Sequence, residues 1–473
     1  MTWITDNRGE GPWDFTPQPE KCGYVNNPRW TGARASDIDH EPCGYWPKGT
    51  TATARSLFSC GDNTYGQLGL GDNGLIPNPH RHTLTWVMDD VQQVGVGGSG
   101  FTGLIKTDGS LWACGINFYG NLGLGWSGGW YDTWPTFFTR VGNRNDWVKV
   151  TCTHENMHVL RADGTIWSAG LNADGEHGTG NKTQSSVLVQ AVGMNNVVDI
   201  ASPESFFHVL ALKADGTMWV TGTNTRGEHG LGTTGASIST YVQTGVGSVW
   251  KAIGAGGHSS RAIKDNGTLW GAGSNAFSGE LGTNDRVNKL TWTQEYLGAT
   301  DWASAHGGID WTVARRTDGR IFGAGYAGGS GVFPYVGPAN TSFLGLGPTI
   351  TATLIHLEVT SAAGAGAPSG PWDVWKTGQS GMHSVAVNRN GTLWTTGVGD
   401  KGRLGYGFFY EDIPGVDGVN ILTQVKRPLT NFTDESKWVD AEASSLATFA
   451  IAETPNSGGT PRCGTSPVWP MPA

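Results

Sequence analysis

One five-residue pattern (aliphatic, aromatic, two small residues, glycine) recurs seven times and leaves this chain few folds to choose from. The copies begin at Leu57, Leu111, Ile166, Met218, Leu269, Ile321 and Leu393 and end at Gly61, Gly115, Gly170, Gly222, Gly273, Gly325 and Gly397. Their aromatic residues follow one another at 51 to 55 residues, apart from a last spacing of 72 that marks an insertion. A fixed period of this size is the signature of a repeat architecture. Six copies are preceded by a turn dipeptide: Asp108-Gly109, Asp163-Gly164, Asp215-Gly216, Asn266-Gly267, Asp318-Gly319 and Asn390-Gly391. Two-residue hairpin turns need positive φ at both central positions, which these pairs supply. Each copy is therefore predicted to be the second strand of a hairpin.

Two more signals travel with the pattern. A glycine loop follows, as in Gly66-Gln67-Leu68-Gly69, Gly175-Glu176-His177-Gly178 and Gly227-Glu228-His229-Gly230. The sixth repeat departs, with Gly328-Gly329-Ser330-Gly331 and only later Leu344-Gly345-Leu346-Gly347. Another short strand precedes each hairpin, read as starting at Val91, Trp147, Val197, Trp250, Trp302, Trp375 and Trp438. Three or four short strands per repeat, seven times over, predict an all-β seven-bladed β-propeller. Leu57-Phe58 has no hairpin partner before it, and Phe449-Ala450-Ile451-Ala452 has none after it. Pairing N- and C-terminal strands closes the ring and leaves no edge between the ends. The predicted organisation is an extended N-terminal arm over 1–55, the propeller over 56–453 and a C-terminal tail over 454–473.

The turn-and-strand Asp-Gly-Thr/Ser-aliphatic-Trp, together with a loop such as Gly61-Asp62-Asn63-Thr64-Tyr65-Gly66-Gln67-Leu68-Gly69-Leu70-Gly71, resembles the regulator-of-chromosome-condensation repeat. The resemblance runs from about Leu57 to Glu453 and implies the propeller fold. Families sharing it include a nucleotide-exchange factor for a small GTPase, ubiquitin-ligase modules, a plant photoreceptor and a secreted β-lactamase inhibitor, as well as phage and bacterial virion, tail-fibre or surface proteins. The fold therefore does not fix the function.

Composition narrows the partners. Charged residues are 15% of the chain and the net charge is -9, so nothing draws it to nucleic acid or anionic lipid. No apolar run of 18 residues is present, and the opening residues lack a signal-peptide core. Of the six cysteines, Cys22 and Cys43 repeat one Cys-Gly-Tyr context. A Cys22–Cys43 disulfide and two free thiols both fit, depending on the compartment. The arm holds Trp3, Trp13, Trp30 and Trp46 among prolines, and Trp469 sits between Pro467 and Pro470 in the tail. Extended segments so rich in tryptophan call for a surface to lie on, here read as neighbouring subunits of an assembly.

Several side chains invite sharper readings. His177 and His229 stand beside Glu176 and Glu228, but Leu68, Leu122, Leu281 and Leu404 hold the same repeat position. A packed position is preferred to a zinc or nickel site, and no metal is assigned. Cys60 and Cys114 share a slot filled elsewhere by Ala or Thr, so two buried thiols are preferred to a bridge. The glycine loops lack the following helix and lysine of a phosphate cradle, and no cofactor is assigned. The repeated tryptophans read as core anchors. Trp126, Trp130, Tyr131 and Trp134 in a loop insertion are the candidate binding surface, for a protein or for the ring of a sugar. No catalytic constellation is visible. His154, His158, His208, His258, His306 and His383 recur near the hairpins as part of the repeat.

These readings favour a non-enzymatic structural and adhesive protein of a phage particle, on tail or capsid surface, with arms anchored to other subunits and a host-surface glycan or receptor as further partner. Two alternatives stand beside it: a protein-binding propeller of the exchange-factor or inhibitor type, and a glycan-binding propeller. Exchange at chromatin would call for basic tails, which the chain lacks.

Overall fold

The computed structural model describes residues 53–73, 79–128, 134–326, 352–359, 370–378, 383–407, 418–425, 428 and 436–455. These residues form seven four-stranded antiparallel sheets. Blade two shows the plan: Val91–Gly97, Phe101–Lys106, Leu111–Gly115 and Thr139–Arg140, each paired to the next. The first strands of the other blades are Trp147–Cys152, Val197–Ala201, Trp250–Gly256, Trp302–Gly307, Trp372–Thr377 and Lys437–Ala443. Each touches the first strand of the next blade, and Lys437–Ala443 touches Val91–Gly97, which closes the ring.

The closing blade is assembled from both ends of the described chain. Thr53–Gly61 pairs antiparallel with Ala447–Pro455 over nine residue pairs, among them Leu57 with Ile451 and Phe58 with Ala450. Lys437–Ala443 and Arg81–Met88 flank this pair. The all-β seven-bladed reading holds, with the ends clasped as the unpartnered half-hairpins require.

Tryptophan plays two roles where the sequence reading gave it one. Trp147, Trp250, Trp302 and Trp372 open their first strands, Trp438 is the second residue of its own, and all five are at most 3% exposed. These are the anchors between blades; Trp147, for example, shares a core cluster with Ile105, Leu111 and Val141 of the blade before it. In blade seven the anchor is Trp372, which pairs with Asn388 as Trp147 pairs with Arg161. Trp375 is buried three residues further along, so the reading that aligned Trp375 with Trp147 was out of register. Trp112, Trp167, Trp219 and Trp270 of the repeated pattern are instead half-buried. Each donates its indole N–H to the turn hydroxyl, which in turn donates to the turn carboxylate or amide. Trp219 Nε1 lies 3.0 Å from Thr217 Oγ1, and Thr217 Oγ1 lies 2.7 Å from Asp215 Oδ1. A cation covers the ring: Lys213 Nζ stands 4.4 Å from the Trp219 centroid, and Lys264 Nζ 3.6 Å from that of Trp270.

Neighbouring blades are also stitched through the glycine loops. The loop of one blade ends on a backbone N–H that donates to the outer strand region of the next, as from Gly71 to Thr136 O at 2.9 Å, Gly125 to Ser186 O at 2.8 Å and Gly232 to Leu290 O at 2.7 Å. Cys114 fits the same logic. It is buried, and its thiol donates to Gln67 O of the preceding blade at 3.5 Å. Cys60 does likewise toward Arg403 O at 3.6 Å, and Cys60, Cys114 and Cys152 are all free thiols. Burial pushes the Cys60 thiol up to about 12, so it is inert as a nucleophile near neutral pH.

Candidate functional site

An antiparallel blade places its loops on two faces. The hairpin turns and the blade-to-blade connectors share one face; the first-to-second strand loops and the glycine loops share the other. The hairpin face is compact, since turn and connector bond each other, as from Ala162 N–H to Asp146 O at 2.8 Å. The loop face carries the recesses.

Its framework is a repeated asparagine. Asn172 Oδ1 accepts from His177 N–H at 3.0 Å, while its Nδ2 donates to Asn181 O and Thr183 O at 3.1 Å. Asn63, Asn117, Asn224 and Asn275 do the same in their own loops, with Leu68, Leu122, His229 and Leu281 as the N–H donors. All five are buried. One side chain thus satisfies backbone groups at both ends of an irregular loop, which a buried loop must do somehow. The sequence reading quoted this asparagine as part of the motif but assigned it no role; its fixed place two residues after the closing glycine was the available signal. Asn172→Ala strands these partners and is expected to cost about 1–3 kcal/mol, measured as a lowered urea midpoint.

His177 and His229 occupy the leucine position of this loop, are fully buried, and have both ring nitrogens without a partner. Burial pushes each down to about 4. Among the described residues no three His, Cys, Asp or Glu side chains converge as a metal site would require. Glu176 next to His177 is pushed up to about 7, first by burial.

Two cavities lie near the axis. The first is the central channel, about 170 Å³, lined by all seven first strands. Its charges are paired: Lys376 Nζ lies 2.5 Å from Glu442 Oε2 and 3.8 Å from Asp440 Oδ1, and Lys149 pairs with Asp199. At the loop face the channel is crossed by the first-to-second strand loop of blade four, the longest of these loops among the described residues. Glu204 of that loop accepts from Ser445 N–H in blade one through its carboxylate and from Gly98 N–H in blade two through its carbonyl, the latter at 3.2 Å. The loop therefore ties blades that lie across the ring.

The second cavity, about 430 Å³, opens beside this tie among the loops of blades one, two, three and seven. Tyr65, Phe118 and Tyr119 supply aromatic wall, Ser99 and Asn121 polar wall, and Asp62, His154, Glu155 and Lys401 the titratable groups. Phe118 and Tyr119 meet edge-on at 4.8 Å. Lys401 Nζ is 2.5 Å from Asp62 Oδ2.

Of the sequence-predicted binding residues, Trp134 packs edge-on against Tyr65 at 5.6 Å and is half-buried between blades. Trp126 is 39% exposed and its carbonyl accepts from Asn117 Nδ2. Trp130 and Tyr131 lie outside the described residues, as do Trp3, Trp13, Trp30, Trp46, Trp469, Cys22 and Cys43. The second cavity itself escaped the sequence reading, because its walls come from four blades and no single stretch announces it.

The fold and the repeat define the class: a seven-bladed β-propeller closed by pairing of its two ends. Residues 56–102 match the regulator of chromosome condensation (RCC1) repeat. The chain is similar to the cattle (Bos taurus) secretion-regulating guanine nucleotide exchange factor, 28% identical over 298 residues, which is 58% of this chain and 60% of that protein. The chain thus spans less than two thirds of that relative's length. Among solved structures it resembles human WBSCR16, with 18% identity and a TM-score of 0.67 over 84% of this chain and all of that one. It also resembles Prp20p from Saccharomyces cerevisiae, with 17% identity and a TM-score of 0.67 over 85% of this chain and 93% of that one; that structure was described with its binding to Gsp1p and histones. These two likenesses concern the fold.

The comparisons overturn the reading of a structural and adhesive phage protein. The proteins it is similar to come from cattle, human and yeast, and those matched in sequence include exchange factors. The phage reading leaned on low charge and on tryptophan-rich ends; low charge suits any protein-binding surface, and the ends lie outside the described residues. No helix of the described residues is long and apolar enough to cross a membrane.

Proposed function

We propose that this chain is a protein-binding propeller of the guanine-nucleotide-exchange type, which holds a small GTPase on its loop face. The likeness to the cattle exchange factor carries the reading. It supports the protein-binding alternative and leaves the glycan alternative without an observation in its favour. Exchange needs no nucleophile and no general base. A factor that binds the nucleotide-free GTPase more tightly than the nucleotide-bound form weakens the hold on the nucleotide by that same factor. The propeller suits this work, because the clasped ends, the asparagine-tied loops and the Glu204 tie hold the loop face rigid, and a preorganised surface loses little freedom on binding. The absence of basic segments among the described strands fits a protein partner without nucleic acid.

The test is release of a fluorescent GDP analogue from a panel of purified small GTPases, with and without the full chain. At least tenfold acceleration for one member is expected. If no GTPase releases faster and none is retained on the immobilised chain, the exchange reading fails.

A further inference from the structure

We propose that the 430 Å³ cavity beside the Glu204 tie receives one cationic side chain, a lysine or arginine, presented by the protein partner. The proposal rests on the loop face being the docking face, and it adds the chemistry of the residue that enters.

The walls select the occupant. Tyr65, Phe118 and Tyr119 are half-buried and present aromatic surface to the cavity. Aromatic faces attract ammonium and guanidinium groups through their quadrupole, more strongly where water is partly excluded. The charges agree. Asp62 and Lys401 already neutralise each other at 2.5 Å, and His80 Nδ1 lies 3.3 Å from the other Asp62 oxygen. Among the described residues, Glu155 has the His154 ring against it, at 3.5 Å. In the cavity wall the carboxylates of Asp62 and Glu155 therefore outnumber Lys401. Burial pushes the Tyr119 phenol upward, and Glu155 adds to it as a neighbouring negative charge. An anion would meet that charge with the one lysine already engaged. A purely apolar side chain would bury the Glu155 carboxylate without returning a hydrogen bond. A long cationic side chain satisfies both needs: its methylenes lie on the aromatic wall and its head meets Glu155.

The experiment uses n-butylguanidinium and n-butylammonium as probes, with butyrate as the charge-reversed control, followed by saturation-transfer NMR on the full chain. The cations are expected to bind at roughly millimolar concentration, as single anchors do, and butyrate to bind at least fivefold more weakly. Glu155→Gln and Tyr119→Ala should each weaken the cations at least fivefold, with circular dichroism confirming the fold of both. Equal binding of butyrate, no binding of either cation, or binding unchanged in both variants would each overturn the proposal. The probes need no GTPase, so cation binding without exchange would sink the proposed function and leave this site standing, and exchange without cation binding would do the reverse.

Discussion

Gly222→Ala is expected to lower stability by at least about 3 kcal/mol, whereas Gly247→Ala, at a similar backbone angle, should cost only about 1 kcal/mol. Both glycines sit at positive φ, +93° and +83°. They differ in what a methyl group would meet. At Gly247 nothing lies within 4 Å, so only the backbone penalty applies. At Gly222 the Cβ would stand 2.1 Å from Phe207 O and 2.9 Å from His208 Cα, both backbone atoms of the adjoining strand. That strand cannot retreat without breaking the pairing of His208 with Gly222. The same collision awaits at Gly115 against Gly100 O, at Gly170 against Glu155 O and at Gly325 against Asp310 O. The final glycine of the repeated pattern is thus required by contact as well as by angle. Urea midpoints of the two variants, compared with the unmodified chain, measure the difference; equal losses would show that the strands can part.

The second large effect concerns acid. His229 is buried, neutral and without partners for its ring, and its proton affinity is lowered to about 4 from an ordinary 6.5. A base weakened by folding binds fewer protons in the native state than in the unfolded one. Its contribution is therefore fully present above about pH 6.5 and is lost as pH falls toward 4. At pH 5 the loss is roughly 2 kcal/mol for this one side chain. His229→Leu, which installs the residue found at Leu68, Leu122, Leu281 and Leu404, should raise stability by about 1 kcal/mol at pH 7 by removing a buried unsatisfied ring, and by more at pH 5. His177 is the poorer test. Beside it Glu176, raised to about 7, regains stability as it is protonated over the same interval and offsets the histidine. Denaturation midpoints at pH 7 and pH 5 decide the matter: convergence of the two chains' pH profiles toward high pH supports this account, and parallel profiles contradict it.

The fold was legible because each of its parts leaves a local mark. The Asp-Gly and Asn-Gly turns, the spacing of the aromatics and the two unmatched half-hairpins gave blade number and closure without any tertiary information. Misreadings arose where role depends on neighbours. Trp112 and Trp147 look alike as letters, yet one shields a hairpin under a lysine and the other fills the gap between blades. The slip between Trp372 and Trp375 came from two tryptophans three residues apart that are both buried. The site was far less legible. Asp62, Ser99, Glu155 and Lys401 come from four separate blades, and only closure of the ring brings residue 401 beside residue 62. The phage reading failed for a related reason: it drew function from composition and ends, whereas a propeller's function resides on a face.

The most direct test of the account is to block the two faces separately in the GDP-release assay. Tyr119→Arg places a bulky cation at the cavity on the loop face; Val246→Arg alters a connector residue on the hairpin face that is 76% exposed. The account predicts at least tenfold loss of stimulated release with Tyr119→Arg and full retention with Val246→Arg. Loss with Val246→Arg and retention with Tyr119→Arg would place the partner on the hairpin face and contradict it.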